Sequence, residues 1–356
     1  MINKIGWTLG QESAGQSGRA LPRAVCFDRH GSVAGWVALT VMLLLWLPGL
    51  GISGVVSAAD TPPPPKINLA PVEDLLAKMA KSPHPSLRAA AIESVQGLKT
   101  ADALQIVSHG LSDKSSMVRF SAAVVAGKCK MASLLPKLRR LLTDPAPSVR
   151  VGAIYALARL GHTSQMGELA RTLQNKNPTV RANTAFVLGR LGDPSAIILL
   201  KTRVDDPNSA VRMAITSALA RLGDKRAINS LIAMSLSKYA QYHLAAMSTC
   251  RSLQNPIAVN VLLNGLHDPL AAAQLIAARG LGERNSTLGE KTALMYEASK
   301  NPQLRVLAAL ALGSIPVSYN AHALKKMLKD PDPKVAIAAA AGLIELHRLA
   351  ELAKPH

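Results

Sequence analysis

The sequence predicts an all-α superhelix built from nine copies of one two-helix unit, and three observations carry that prediction. Ala and Leu dominate an apolar fraction of 49%, while aromatic residues make up only 3%; long stretches of this kind favour helix over sheet. A hydrophobic-Arg dipeptide returns every 31 residues, at Leu87-Arg88, Val118-Arg119, Val149-Arg150, Val180-Arg181 and Val211-Arg212. Further steps of 31 land on Tyr242-His243, Ala273-Gln274, Leu304-Arg305 and Val335-Ala336, so nine positions share one frame without insertion or deletion. Fixed periods of this length are the mark of repeat architectures.

The N-terminal segment precedes the repeats and differs from them in chemistry. All three Trp (Trp7, Trp36, Trp46) lie there, and residues 31–59 carry no charge. Basic residues come first (Lys4, Arg19, Arg23, Arg29), then an apolar run from Ala34 to Leu47, then small residues ending at Ser57-Ala58-Ala59. That order predicts a secretory signal over residues 1–59. The competing expectation is a retained anchor, because a span of ~20 apolar residues is reached if Pro48 and three glycines are tolerated. Both place the remainder outside the cytoplasm, periplasmic or tethered to the membrane. Residues 60–69, with Pro62 to Pro65, are predicted to be a stiff linker, and Val72 to Ala80 an unpaired leading helix that caps the superhelix.

Each unit then repeats the same construction. Six residues before the Arg stand Ser82, Asp113, Asp144, Asn175, Asp206, Ser237, Asp268, Ser299 and Asp330, all able to accept a hydrogen bond from a free N–H at a helix start. Seven after it stand Val95, Ala126, Leu157, Leu188, Leu219, Cys250, Leu281, Leu312 and Leu343, a packing column in which Cys250 is an inert thiol. Nineteen after it the column reads Val107, Leu138, Leu169, Leu200, Leu231, Leu262, Ala293 and Leu324, with Leu76 of the leading helix in register. Gly161, Gly192 and Gly223 fall where a left-handed cap ends the first helix, and Asp193 and Asp224 are placed to start the second. A two-helix unit cannot bury its apolar faces alone, so the units must stack over residues 70–352.

Asp206-Pro207 through Val211-Arg212, followed by Leu222-Gly223-Asp224 and Ala227-Ile228, resembles the short HEAT-like repeats of the phycobilin-lyase type. The resemblance implies a right-handed HEAT/armadillo-like α-solenoid. It also implies that the Arg and Asp columns form an internal polar ladder between units, interrupted at His243, Gln274 and Ala336. As a guide to function it is weak, because the repeat serves many functions.

No catalytic constellation emerges. Three Cys (Cys26, Cys129, Cys250) show no CxxC spacing, the nine His form no HExxH, and no phosphate loop is evident. Two enzyme precedents use such repeats. Deoxyhypusine hydroxylases bind iron through His-Glu dipeptides, which this sequence lacks; bilin lyase subunits are cytoplasmic, which export would contradict. No cofactor, metal or small-molecule substrate is therefore expected.

Binding is the class that the charge supports. Residues 60–356 carry 37 basic and 20 acidic side chains, and residues 128–226 carry 17 and 6. If the Arg-bearing helices line the inner surface, positions two, five and nine after the Arg face solvent. Lys128, Arg159, Arg190 and Arg221 then form a row beside Tyr155 and Phe186, a mixture of arginine and aromatic residues typical of interface hot spots. The expectation is an exported, non-catalytic scaffold that binds an acidic protein partner in a membrane or envelope complex, with a basic solenoid for nucleic acid as the alternative.

Overall fold

The computed structural model describes residues 67–353 apart from residue 254. The apolar segment and the proline run lie outside the described residues. Of the expected linker only residues 67–69 are described, and there Ile67 is already buried in the core.

Eighteen α-helices and no strand occur among the described residues. Helix α1 (Ala70–Met79) comes first, followed by the pairs α2 (Pro85–Ser94) and α3 (Ala101–Gly110), and α4 (Ser116–Lys128) and α5 (Leu135–Arg140). Next are α6 (Pro147–Arg159) with α7 (Glu168–Thr172), and α8 (Pro178–Leu191) with α9 (Ala196–Lys201). Then come α10 (Ser209–Arg221) with α11 (Lys225–Met234), and α12 (Ala240–Cys250) with α13 (Pro256–Gly265). The last are α14 (Ala271–Gly282) with α15 (Glu290–Met295), α16 (Pro302–Ser314) with α17 (Asn320–Met327), and finally α18 (Pro333–Leu352). Even-numbered helices carry the Arg column and pack on one another as an inner layer; odd-numbered helices form the outer layer.

Local chemistry sets the helix boundaries. All nine residues of the Asp/Ser column accept a hydrogen bond from the N–H two residues on, from Ser82 to Asp330. They shape the turn before the inner helix rather than capping it directly. The cap itself lies two residues later, where the Asn177, Asn208, Asn301 and Asp332 side chains accept from first-turn N–H groups. Proline opens α2, α6, α8, α16 and α18, where its missing N–H costs nothing. Gly161, Gly192 and Gly223 have φ of +92°, +78° and +89°, and Lys130 and Asn285 take the same column at φ +50° and +61°.

Packing follows from residue size. The column nineteen after the Arg is buried in every unit, from Val107 to Leu324. Inner helices are apolar almost all round because neighbours flank them on both sides. Small residues let them approach: a Cβ at Gly189 would sit 2.7 Å from Ala218 Cα. Cys250 is buried, and desolvation pushes its thiol pKa up to about 11, so it is an unreactive core residue.

The expected N-terminal cap is corrected by the structure. Helix α18 packs against both α1 and α2, so the last inner helix adjoins the first and the described body closes on itself as a ring. Helix α18 takes α1 as its outer partner, so the first and last helices of the described residues together make the ninth unit. Leu76 and Val72 of α1 are fully buried, as are Leu343 and Ile344 of α18. At the junction a Cβ on Gly97 would lie 2.5 Å from Ile344 Cγ2, so the chain passes there with no room to spare. A helix whose buried row is held between α18 and α2 is not an unpaired cap.

The polar ladder is present between the inner helices. Arg88, Arg119, Arg181 and Arg305 each grip the next unit's aspartate (Asp113, Asp144, Asp206, Asp330) through Nε and Nη2 at 2.7–2.8 Å. Their Nη1 groups donate to carbonyls of their own turn. In unit six His243 Nε2 lies 2.9 Å from Asp268 Oδ2 but makes no hydrogen bond to it, so the arginine fork is lost there as expected. In unit seven Gln274 donates to Asp268 O and accepts from the Tyr296 hydroxyl, with no acid of the next unit in reach. Arg150 and Arg212 keep their carbonyl bonds but face Asn175 and Ser237, which carry no charge.

Candidate cationic lumen

All nine inner helices run the same way, so their C-terminal ends surround one mouth of the ring. Lys128 and Arg159 end α4 and α6, Arg190 is the penultimate residue of α8, and Arg221 ends α10. A cation in the last turn is favoured by the partial negative charge of that helix end. Successive inner helices therefore place Lys128, Arg159, Arg190 and Arg221 at corresponding C-terminal positions.

Ring closure adds members that the linear pattern separates. Lys128 of the second unit is made more acidic by burial first, and then by Arg190, Arg279 and Arg251. Arg251 and Arg279 belong to the sixth and seventh units, so they face Lys128 across the lumen. Arg221 is brought down to about 10 by burial, with Arg190 and Arg251 adding repulsion. Arg279 is likewise brought down to about 10 by burial and by Arg251. Arg190 is lowered by burial and Arg251, opposed by Tyr155 and Glu283. Lys128 remains open to solvent yet is ringed by protein, which explains why its ammonium ion is penalised.

Acid compensation is partial. Glu283 pairs with Arg251 and lies 3.2 Å from Arg279 Nε. Lys128 donates to the uncharged Gln96 Oε1. Buried Nε atoms of Arg159 and Arg190 have no hydrogen-bond partner in the fold, a cost carried by two of the cations at this mouth. The lumen can thus attract and hold negative charge. No metal-binding cluster occurs among the described residues.

The aromatic half of the predicted surface divides. Phe186 is half-buried, and the Arg190 guanidinium lies 5.3 Å from the centre of its ring. Tyr155, expected to face solvent, is only 3% exposed. Its ring lies over Gly127 of the preceding helix, where the absent Cβ leaves space for it. Position two is also largely internal, with Ser121, Gly152, Ala245 and Ala338 all buried. Arg251, Arg279 and Glu283 were not singled out from the sequence. Arg279 and Glu283 stand in the columns at positions five and nine, but nothing in a linear repeat says that unit seven faces unit two.

The HEAT-repeat family matches residues 72–158 and 166–248. Similar solved structures include human deoxyhypusine hydroxylase in complex with glycerol, at 20% identity over 77% of this chain and 95% of that one, with a TM-score of 0.36. The complex of CpcE and CpcF of phycocyanin lyase from Nostoc sp. PCC7120 matches at 19% identity over 70% and 97%, with a TM-score of 0.44. Kap121p matches at 15% identity over 75% and 36%, with a TM-score of 0.32. No curated protein matches the sequence. The period, the paired helices, the Arg–Asp ladder and the family match agree that the chain carries HEAT repeats over residues 72–158 and 166–248.

Proposed function

We propose that the chain is an exported, non-catalytic adaptor whose cationic lumen takes up an acidic segment of a partner protein in a membrane or envelope complex. A HEAT solenoid is suited to scaffolding between proteins, because its stacked units present one continuous inner surface. The observation that carries the acidic partner is the convergence of Lys128, Arg190, Arg221, Arg251 and Arg279, depressed by burial and by each other. Export rests on the uncharged stretch Gly31 to Ala59 and the small residues that close it.

Ring size narrows the occupant. Nine helices about 9 Å apart place their axes about 13 Å from the centre, and a helix radius of about 5 Å leaves a lumen of about 16 Å. Arginine side chains reach into that space, so it suits one extended peptide and excludes a folded domain. A nucleic acid duplex is wider. A single strand would fit, but base stacking needs exposed aromatic faces, and Tyr155 is buried.

Wild-type protein should retain an oligoglutamate peptide, and Arg159→Glu with Arg190→Glu should weaken that affinity about 30-fold or more, since a lost desolvated charge contact costs ~2 kcal/mol or more. Titration calorimetry with parallel circular dichroism reads this; unchanged binding by the folded double variant would place the interface elsewhere. Terminal sequencing of the native protein should begin at Ala59 or Asp60, or the intact chain should sediment with membranes. An uncleaved chain in the soluble cytoplasmic fraction would remove the export reading.

A further inference from the structure

The ladder keeps an arginine in its fifth rung after losing the acid that the arginine would hold. Arg212 Nη1 donates to Asp206 O at 2.7 Å and Pro207 O at 3.1 Å. Arg181, in a complete rung, makes the equivalent bonds to Asn175 O and Lys176 O at the same 2.7 and 3.1 Å. The Arg212 guanidinium is therefore fixed in the ladder position. Its Nε and Nη2 edge is presented where the next unit's aspartate sits in four other rungs. Here that position holds Ser237, whose Oγ accepts from the Tyr239 N–H at 3.2 Å.

Two further columns change at this junction. Tyr242 replaces the small aliphatic residue and His243 replaces the arginine, beside a Ser237 that carries no charge. Helices α10 and α12 pack less closely than any other neighbouring inner pair. A groove of about 390 Å³ opens between them, lined by Arg212, Met213, Thr216, Met234, Ser237 and Tyr242 among others. Its chemistry is a fixed guanidinium edge, hydroxyl groups and two flexible thioether side chains. Tyr242 is half-buried and braced edge-on by Tyr239 at 6.3 Å.

We propose that this groove is a carboxylate-binding site, taking a carboxylate carried on a short apolar chain. Arg212 Nε and Nη2 make the paired hydrogen bonds that an aspartate receives elsewhere in the ladder, the geometry that gives such forks their strength and direction. Met213 and Met234 receive the apolar part, as methionine does at adaptable binding surfaces. The ligand's chemistry is that of a glutamate side chain or chain terminus of a peptide, or of a free short-chain acid. The site is separate from the lumen, because it depends on Arg212 and not on Arg159 or Arg190.

Titration calorimetry of the full chain with hexanoate, a capped glutamyl tripeptide and hexanol tests it. Hexanoate should bind with about millimolar affinity, and hexanol should not bind. Ser237→Asp should supply the missing acid from within, raise the melting temperature and weaken hexanoate binding by about tenfold or more, the worth of a paired charged hydrogen bond. Arg212→Gln should lose binding equally. Asn175→Asp, which completes the third rung, should also raise the melting temperature while leaving hexanoate binding unchanged. The Arg159→Glu, Arg190→Glu double variant should bind hexanoate normally even if it loses the oligoglutamate peptide. Tripeptide binding in competition with hexanoate assigns the site to a partner polypeptide; hexanoate binding alone assigns it to a free acid. Equal binding of hexanol and hexanoate, no hexanoate binding at all, or hexanoate binding untouched by Ser237→Asp would overturn the proposal.

Discussion

Leu76→Ala is expected to cost about 2–5 kcal/mol, as much as Leu188→Ala at the centre of the repeat array. Leu76 is fully buried and Leu188 is 4% exposed, so both truncations leave a cavity lined by packed neighbours. The comparison matters because the two sites differ in an open solenoid. There the first helix would contact only one neighbour, would fray independently, and its truncation would be cheap. In the ring, α1 bridges α18 and α2, so losing its anchor loosens the first and last described helices together. Urea titration of the two variants reads the costs. Hydrogen exchange should show residues 70–94 and 333–352 losing protection as one unit in Leu76→Ala. A Leu76→Ala cost below about a quarter of the Leu188→Ala cost would mean an open array.

Asp206→Asn is expected to cost about 3 kcal/mol, the low end for breaking a buried ion pair. The pair is sequestered, with Arg181 8% and Asp206 0% exposed, and joined by two 2.7 Å bonds. Removing the carboxylate leaves the Arg181 guanidinium without its counter-charge. The pH dependence has a definite sign. Hydrogen bonding from Arg181, ahead of the opposing effect of burial, holds the Asp206 carboxyl below its usual range. A carboxyl whose folded pKa is depressed stabilises fully above its unfolded pKa, about 3.9, and that stability is lost as pH falls through the folded value. Asp113 and Asp330 are depressed by the same arginine bond. At Asp144 burial pushes upward, but the Arg119 and Ala146 donors outweigh it. Melting temperatures should therefore fall steeply below about pH 4, and the gap between wild type and Asp206→Asn should close over the same range. A constant gap down to full acid denaturation would mean that the ladder carries no such charge.

The gaps in the ladder differ in what they leave behind. At His243 the acid stays in place, because the turn that positions Asp268 is built by local hydrogen bonds and does not depend on the arginine, but the ring only approaches it and makes no hydrogen bond. At Gln274 both partners are gone, since its one amide nitrogen donates to its own turn carbonyl and the next unit offers the uncharged Ser299. Tyr155 shows the opposite limit. Its column is lumen-facing at Phe186, but Gly127 on the neighbouring helix opens a slot that draws Tyr155 inward. Residue spacing reports the angular position of a side chain on its helix, whereas the neighbour's residue size decides whether that side chain is covered.

The repeat period, the helical pairs, the Arg–Asp columns, the glycine caps and the cationic row were all legible in the sequence, because each depends on interactions within one unit or between adjacent units. Such contacts recur at a fixed separation and leave a column that can be read. Closure of the ring leaves no such trace. It depends on the small rotation between successive units, summed nine times, and a few degrees per step separate an open superhelix from a circle. Only the tertiary structure decides that α1 completes the ninth unit and that Arg251 and Arg279 meet Lys128 across the lumen.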